Sequence, residues 1–260
     1  MLLALDVGNT NIVAALFDLS GATPAHLVAT WRATTHHEYT ADEFGLLLKS
    51  LFSLHNLDFS VVTGVAIASV VPPLDSALRL MAERFFTLKP MFVEPGIKTG
   101  IPILTDNPAE VGADRILNCV AAWDRLHGPA IIVDLGTATK FDVLSKNGEF
   151  LGGAIAPGLG ISADALFNRA AKLPRVDIRK PTKVVGTGTV DNMQIGLYYG
   201  YIGLVDGILD RMLPTLDPAT TVLATGGLAR LIADGSRHIK DVDDLLTLTG
   251  LRLLYDRNRR

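Results

Sequence analysis

The strongest constraint on the fold is a short pattern that occurs twice, 128 residues apart in a chain of 260. An apolar run over residues 2–5 meets Asp6-Val7-Gly8-Asn9-Thr10-Asn11, and a second apolar run follows over residues 12–17. Residues 130–133 then meet Asp134-Leu135-Gly136-Thr137-Ala138-Thr139, followed by the apolar run 141–144. The two Asp-x-Gly segments align without a gap. Each reads as strand, tight turn and return strand, because Gly and Asn between apolar runs favour a hairpin. A recurrence at half the chain length is too long a period for a solenoid and points to a duplicated domain, divided here as residues 1–115 and 116–260.

The remaining segments alternate in type. Residues 40–54 place Phe44, Leu47, Leu48 and Leu51 at helical spacing. Residues 61–71 read as a strand stopped by Pro72-Pro73, and 74–86 and 111–126 as helices. Residues 152–160 read as a Gly-rich loop, followed by a helix from Ser162 and a basic loop over 172–183. A long helix near 190–212, a strand over 221–224 ending at Gly226-Gly227, and a C-terminal helix complete the chain. Strands alternating with helices predict an α/β protein.

Composition narrows the partners. The net charge is −3, so no global basic field draws nucleic acid or an anionic membrane. A single cysteine, Cys119, rules out an intrachain disulfide and a Cys-based zinc site. The six histidines show no His-x-x-x-His spacing; His36-His37 is a pair in a polar stretch. No apolar run approaches the roughly 20 residues that span a bilayer. The first apolar run meets Asp6 at once and has no basic segment before it, which predicts a strand and a cytoplasmic protein rather than a signal peptide.

A strand that ends in Asp-x-Gly-Asn-Thr turns successive backbone N–H groups toward an anion, and the glycine permits close approach. Asp6 repels phosphate oxygens directly, so its expected role is to hold Mg²⁺, through water, against them. Either loop alone also fits an ordinary hairpin; the repeat is what favours two phosphate loops that clamp a polyphosphate from both sides of a cleft. Gly226-Gly227, at a strand-to-helix junction, would let a base or ribose lie against backbone, although a plain turn reads the same way.

Two Asp-x-Gly loops and a Gly-Gly turn, in that order, resemble the superfamily of acetate kinase, sugar kinases, Hsp70 and actin. Asn107-Pro108-Ala109-Glu110-Val111-Gly112-Ala113-Asp114-Arg115, together with Thr189 and Met193-Gln194, narrows this to a resemblance to type III pantothenate kinases, almost end to end. That resemblance implies two ribonuclease H-like (actin-like ATPase) domains and ATP-dependent phosphorylation of the primary hydroxyl of pantothenate, the first step of coenzyme A synthesis. It implies Asp114 as the base and substrate contacts at Gly112, Ala113, Asp114, Arg115 and Thr189. ATP contacts are implied at Asp6, Val7, Gly8, Asn9, Thr10, Asn11, Ile12, Val13, Thr137, Gly226 and Gly227. It further implies a monovalent cation, K⁺ or NH₄⁺, at Asp134, and a homodimer with the pocket at the subunit interface. Relatives that act as non-catalytic regulators, and kinases of other small hydroxy acids, share enough of the pattern to stand as alternatives.

Three positions depart from the family pattern: Thr105, Ile195 and Lys140. Lys140 stands on the return strand of the second loop, and its ammonium carries the charge of K⁺. It is expected either to replace the cation at Asp134 or to point to solvent. Finally, Gly196, Gly200, Gly203 and Gly207 line one face of the long helix. Each costs roughly 1 kcal/mol against Ala in a helix interior. The stripe is therefore expected to pack closely, against the sheet of its own domain or against a partner subunit, with the former preferred.

Overall fold

Both Asp-x-Gly segments form hairpins, and each hairpin is the middle of its own five-stranded sheet. The computed structural model describes residues 1–21 and 26–259. They divide into unit 1 (Met1–Gly100, Asn107–Ala121, Thr247–Arg260) and unit 2 (Ile101–Asp106, Ala122–Leu246). Relative to a linear division at residue 115, three segments fall on the other side: residues 101–106 go with unit 2, and 116–121 and 247–260 with unit 1.

Unit 1 carries β1 (Leu2–Val7), β2 (Asn11–Asp18), β3 (His26–Thr34), β4 (Gly64–Ser69) and β5 (Met91–Phe92), in the order β3-β2-β1-β4-β5. The pairs β1–β2 and β2–β3 are antiparallel, whereas β1–β4 and β4–β5 are parallel. All six β1 residues but Asp6 are buried, on both faces, as a central strand demands. Helix α1 (Ala41–Ser53) starts at a capping box: Thr40 accepts from the Glu43 N–H while the Glu43 carboxylate accepts from the Thr40 N–H. It buries Phe44, Leu48 and Phe52 along one face, and Phe52 stacks on Trp31 with ring centroids 5.1 Å apart. Burying a side chain of this kind is worth about 1.5–3 kcal/mol. Helix α2 (Pro72–Phe86) begins at the same two prolines that stop the strand-like run before them. Proline's fixed φ and missing donor suit the first turn of a helix, so the same residues close one element and open the next. Helix α3 (Ala113–Leu126) follows a short 3₁₀ turn at Pro108–Glu110.

Unit 2 repeats the plan. Its strands are β6 (Ala130–Leu135), β7 (Ala138–Leu144), β8 (Phe150–Pro157), β9 (Thr221–Thr225) and β10 (Asp241–Val242), in the order β8-β7-β6-β9-β10. Again the first two pairings are antiparallel and the last two parallel. The same strand order and the same directions in both sheets are what duplication of one domain produces. Helices α4 (Leu159–Arg169), α5 (Thr189–Met212) and α6 (Ala229–Ala233) belong to this unit. The last helix, α7 (Leu246–Asn258), returns to unit 1 from Thr247 onward.

Two expectations are corrected here. Much of the Gly-rich stretch 152–160 is strand β8 rather than loop. Gly153 explains it: a Cβ there would lie 1.6 Å from the Phe141 carbonyl oxygen, so the glycine lets neighbouring strands approach and does not break the ladder. The glycine stripe of α5 does not pack against its own sheet. A Cβ at Gly196, Gly200 or Gly203 would meet no atom within 4 Å among the described residues, and all three glycines are exposed. No described helix is long and apolar enough to cross a membrane.

Candidate active site

In unit 1 the first loop occupies Gly8, Asn9 and Thr10 between β1 and β2. Asp6 faces Val13 across the hairpin and Ala68 on β4. The Gly8 N–H donates to the Asn11 carbonyl at 3.0 Å and closes the turn. A segment just after β3 then braces it from outside. The Thr35 hydroxyl donates to the Gly8 carbonyl (2.6 Å), and the Thr35 N–H donates to the Thr10 carbonyl (3.0 Å). His37 Nε2 lies 3.2 Å from the Asn9 carbonyl, donating when that nitrogen carries the proton. The brace engages three successive carbonyls, which holds the loop with its acceptor edge turned toward Thr35 and His37. Asn9 and Thr10 remain exposed, while Asp6, Asn11 and Val13 are half-buried and Val7 and Ile12 buried. Thr35 and His37 were not among the expected site residues. Their only sequence signal is the polar run Thr34-Thr35-His36-His37 directly after an apolar stretch.

Also in unit 1, Asp114 and Arg115 stand in the first turn of α3, half-buried. Asn107 caps the preceding 3₁₀ turn, accepting from the Ala109 N–H at 3.3 Å and donating to Glu110 Oε1 at 2.7 Å. The Arg115 N–H donates to Asp114 Oδ1 at 2.9 Å, which fixes the rotation of that carboxylate. Gly112 leaves room for it, since a Cβ there would lie 2.7 Å from Asp114 Oδ1. A carboxylate in a helix's first turn also lies at the positive end of the helix dipole. One turn further, the fully buried Asn118 accepts from the Thr247 hydroxyl at 2.7 Å and ties α3 to α7. Asn118 was not anticipated, because its partner is 129 residues away.

In unit 2 the second loop, Gly136-Thr137, is one residue shorter than the first. The Gly136 N–H donates to the Ala138 carbonyl (3.2 Å), and the Gly158 N–H to the Thr137 carbonyl (3.1 Å). Behind it, Thr139 and Tyr201 share a buried hydroxyl–hydroxyl hydrogen bond, and Tyr201 donates to the Pro157 carbonyl at 3.2 Å. Tyr201 has one proton to give, so the Thr139 hydroxyl is the donor between the two. Burial pushes the Tyr201 phenol above its usual pKa and outweighs the opposing Thr139 hydrogen bond, which keeps that proton in place.

Asp134 and Gly226 come together beside this loop. Gly226 has φ +97°, and a Cβ on it would fall 2.8 Å from Asp134 Oδ1 and 2.7 Å from the Leu135 carbonyl carbon. Only glycine fits both the left-handed backbone and the contact. The Leu228 N–H reaches the Leu135 carbonyl at 3.4 Å, so the Gly226-Gly227 turn lies along the end of β6. Gly227 and Thr137 are exposed. The other Asp134 oxygen, Oδ2, lies 2.7 Å from Lys140 Nζ, with both side chains mostly buried at 13% and 14% exposure. Lys140 therefore does not point to solvent. The structure places Thr189 exposed at the first helical position of α5, after Gly188. Gln194 is buried; its Nε2 donates to the Asp177 carbonyl at 3.0 Å, and its Oε1 accepts from Arg179 Nε at 3.3 Å. It anchors the segment before α5.

This geometry has known counterparts. The sequence model of the type III pantothenate kinase family matches residues 2–211. A type III pantothenate kinase of Koribacter versatilis is 58% identical over all of this chain and 96% of its own. One from Myxococcus xanthus is 52% identical over 99% of each. Among solved structures, a ROK family glucokinase from Streptomyces griseus, in complex with glucose and AMPPNP, superposes with a TM-score of 0.55 at 15% identity, covering 99% of this chain and 98% of that one. An activator of the 2-hydroxyisocaproyl-CoA dehydratase from Clostridium difficile, with bound ADPNP, gives 0.52 at 13% identity over 99% and 95%. At such identities these two establish the fold alone, the actin-like ATPase and sugar kinase architecture. By its family pattern and its end-to-end identity with these relatives, the chain belongs to the type III pantothenate kinase family.

Proposed function

We propose that the pantothenate kinase activity of this family runs here as direct in-line phosphoryl transfer with Asp114 as base. The bond from the ATP β,γ-bridging oxygen to the γ-phosphorus breaks. A new bond forms to the primary hydroxyl oxygen of pantothenate, and the hydroxyl proton passes to Asp114, leaving ADP and the phosphate ester. Such a reaction asks the protein mainly for positioning and charge neutralisation, plus one carboxylate to orient the nucleophile. The observation that carries the reading is the Asp114 carboxylate, its rotation fixed by the Arg115 N–H and its space left open by Gly112. Arg115 is suited to the pantothenate carboxylate through bidentate pairing, and Gly112, Ala113 and Thr189 to the rest of that substrate.

The first loop, residues 6–13, is suited to the ATP phosphates through its N–H edge, with Thr137, Gly226 and Gly227 as further nucleotide contacts. Asp6 fits Mg²⁺ held through water, because that ion takes one or two carboxylates with waters and substrate phosphates rather than an all-protein cage. The described residues hold no group of three or more His, Cys, Asp or Glu that could form such a cage. When bound, Mg²⁺ neutralises charge on the transferred phosphates.

We also infer a homodimer. The exposed glycine stripe on α5 supports it, since a Cβ at Gly196, Gly200 or Gly203 would meet nothing within 4 Å among the described residues, which leaves a surface where a second backbone can come close.

The test is a coupled assay for ADP release with pantothenate, Mg²⁺ and ATP. Asp114→Asn should lower kcat by about 10²–10⁴-fold, the usual worth of a positioned general base. Its thermal unfolding should match that of the wild type. Wild-type turnover in the folded variant would remove Asp114 from that role.

A further inference from the structure

Lys140 has no part in the reaction as proposed, yet it makes a closely placed, mostly buried ion pair beside the second phosphate loop. Its position follows from the hairpin register. Asp134 and Lys140 are directly opposed on β6 and β7, whereas in the first hairpin Asp6 is opposed by the uncharged Val13. Equivalent carboxylates in the two copies thus meet different neighbours. On its other flank Asp134 pairs with the buried Thr225 of β9, and Gly226 closes over Oδ1. Oδ1 thus lies against the Gly226 backbone, while Oδ2 is in contact with the Lys140 ammonium.

An ammonium and a K⁺ ion carry the same charge, and a cation at contact distance from Oδ2 would face the Lys140 charge in a poorly screened setting. The residues around Asp134 therefore do not fit the monovalent ion that the family resemblance implies. We propose that Lys140 is the resident counter-cation of Asp134, so that the second phosphate loop of this chain works without a monovalent metal ion. This rests on the kinase reading above. It makes Lys140 a positioning residue, which holds Asp134 and the adjoining loop by charge.

The experiment compares wild type with Lys140→Thr in the chlorides of K⁺, NH₄⁺, Na⁺ and tetramethylammonium at equal ionic strength. Two readouts are taken: the thermal midpoint of the protein alone and the initial rate of pantothenate phosphorylation. For the wild type, midpoints should coincide in all four salts, and K⁺ and Na⁺ rates should agree within about twofold. Lys140→Thr should acquire a cation site. Its midpoint should rise by roughly 2–4 °C in K⁺ or NH₄⁺ over tetramethylammonium, as expected when an ion at about ten times its Kd binds only the folded state of a protein this size. Its rate should depend on K⁺ or NH₄⁺ by about tenfold or more, equivalent to 1.4 kcal/mol.

A wild type that gains stability or rate specifically in K⁺ overturns the proposal. So does a folded Lys140→Thr that responds equally to every salt, because loss of a merely structural ion pair would weaken it in all four alike. Should Lys140→Thr fail to fold in any salt, the wild-type comparison decides alone. Failure to phosphorylate pantothenate in every salt would defeat the reaction assigned above, while the midpoints would still read the ion site.

Discussion

Single side chains and single glycines set the geometry of the second loop. Gly226 is the most constrained of them, because its φ of +97° and its contact with Asp134 and Leu135 both exclude a Cβ. Gly226→Ala should cost about 1–3 kcal/mol from backbone strain alone, with the clash in addition. It should also lower kcat/KM, since the displaced neighbour is Asp134. Urea unfolding alongside the kinase assay checks both, and a variant of unchanged stability would contradict the close packing. Lys140 teaches a related lesson about legibility. Its identity as a departure was visible in the sequence, but whether it met Asp134 or water was not. The register could have been counted from the turn: Asp134 and Lys140 are equally spaced about the 136–138 bend, as hairpin partners must be.

At the level of elements, α5 is joined to the segment after α6 by one buried carboxylate. Asp206 accepts from the Ser236 hydroxyl at 2.6 Å, and from the Arg237 N–H and Nε at 3.1 and 3.3 Å. Burial pushes the Asp206 pKa up, but the Ser236 and Arg237 hydrogen bonds outweigh it, and the folded value lies below the ordinary 3.8. A carboxyl depressed on folding contributes stability that is present above its unfolded pKa and is lost as pH falls through the folded one. Asp206→Asn should therefore cost roughly 2–4 kcal/mol near pH 7. The gap to wild type should narrow as pH drops below about 4, the ordinary carboxyl range. Equal stability curves from pH 7 to 3 would refute the linkage. Elements differed in how plainly they could be read. The hairpins and α1 were legible because turn residues, caps and periodicity are local signals. Strand β3 is harder to read, because the exposed His26, Thr30, Arg32 and Thr34 interrupt its apolar run. Strand β8 looked like loop because its glycines answer to a neighbouring strand.

For the whole molecule, the duplicated domain was legible in the repeated hairpin, and the matching strand order of the two sheets agrees with it. Which residues from distant parts of the chain share a unit was not readable, because Asn118 and Thr247 or Gly64 and Tyr255 meet only through tertiary packing. The direction in which the α5 stripe faces was likewise a tertiary fact. If it seats a second copy, sedimentation should give twice the 27.8 kDa chain mass. Gly200→Trp should then yield a monomer with unchanged helix content, since a Cβ at Gly200 meets nothing within 4 Å among the described residues. A monomeric wild type would sink the inferred dimer.

The return of α7 to unit 1 has a consequence in time. Gly250 lets α7 lie against the Leu117 carbonyl, 2.1 Å from where a Cβ would be, and Asn258 accepts from the Lys98 N–H at 3.1 Å. The half of the protein that leaves the ribosome first is therefore completed last. Until α7 emerges, Asn118 of α3 and Gly64 of β4 lack the Thr247 and Tyr255 that meet them, while the later-made second sheet already has all of its own strands.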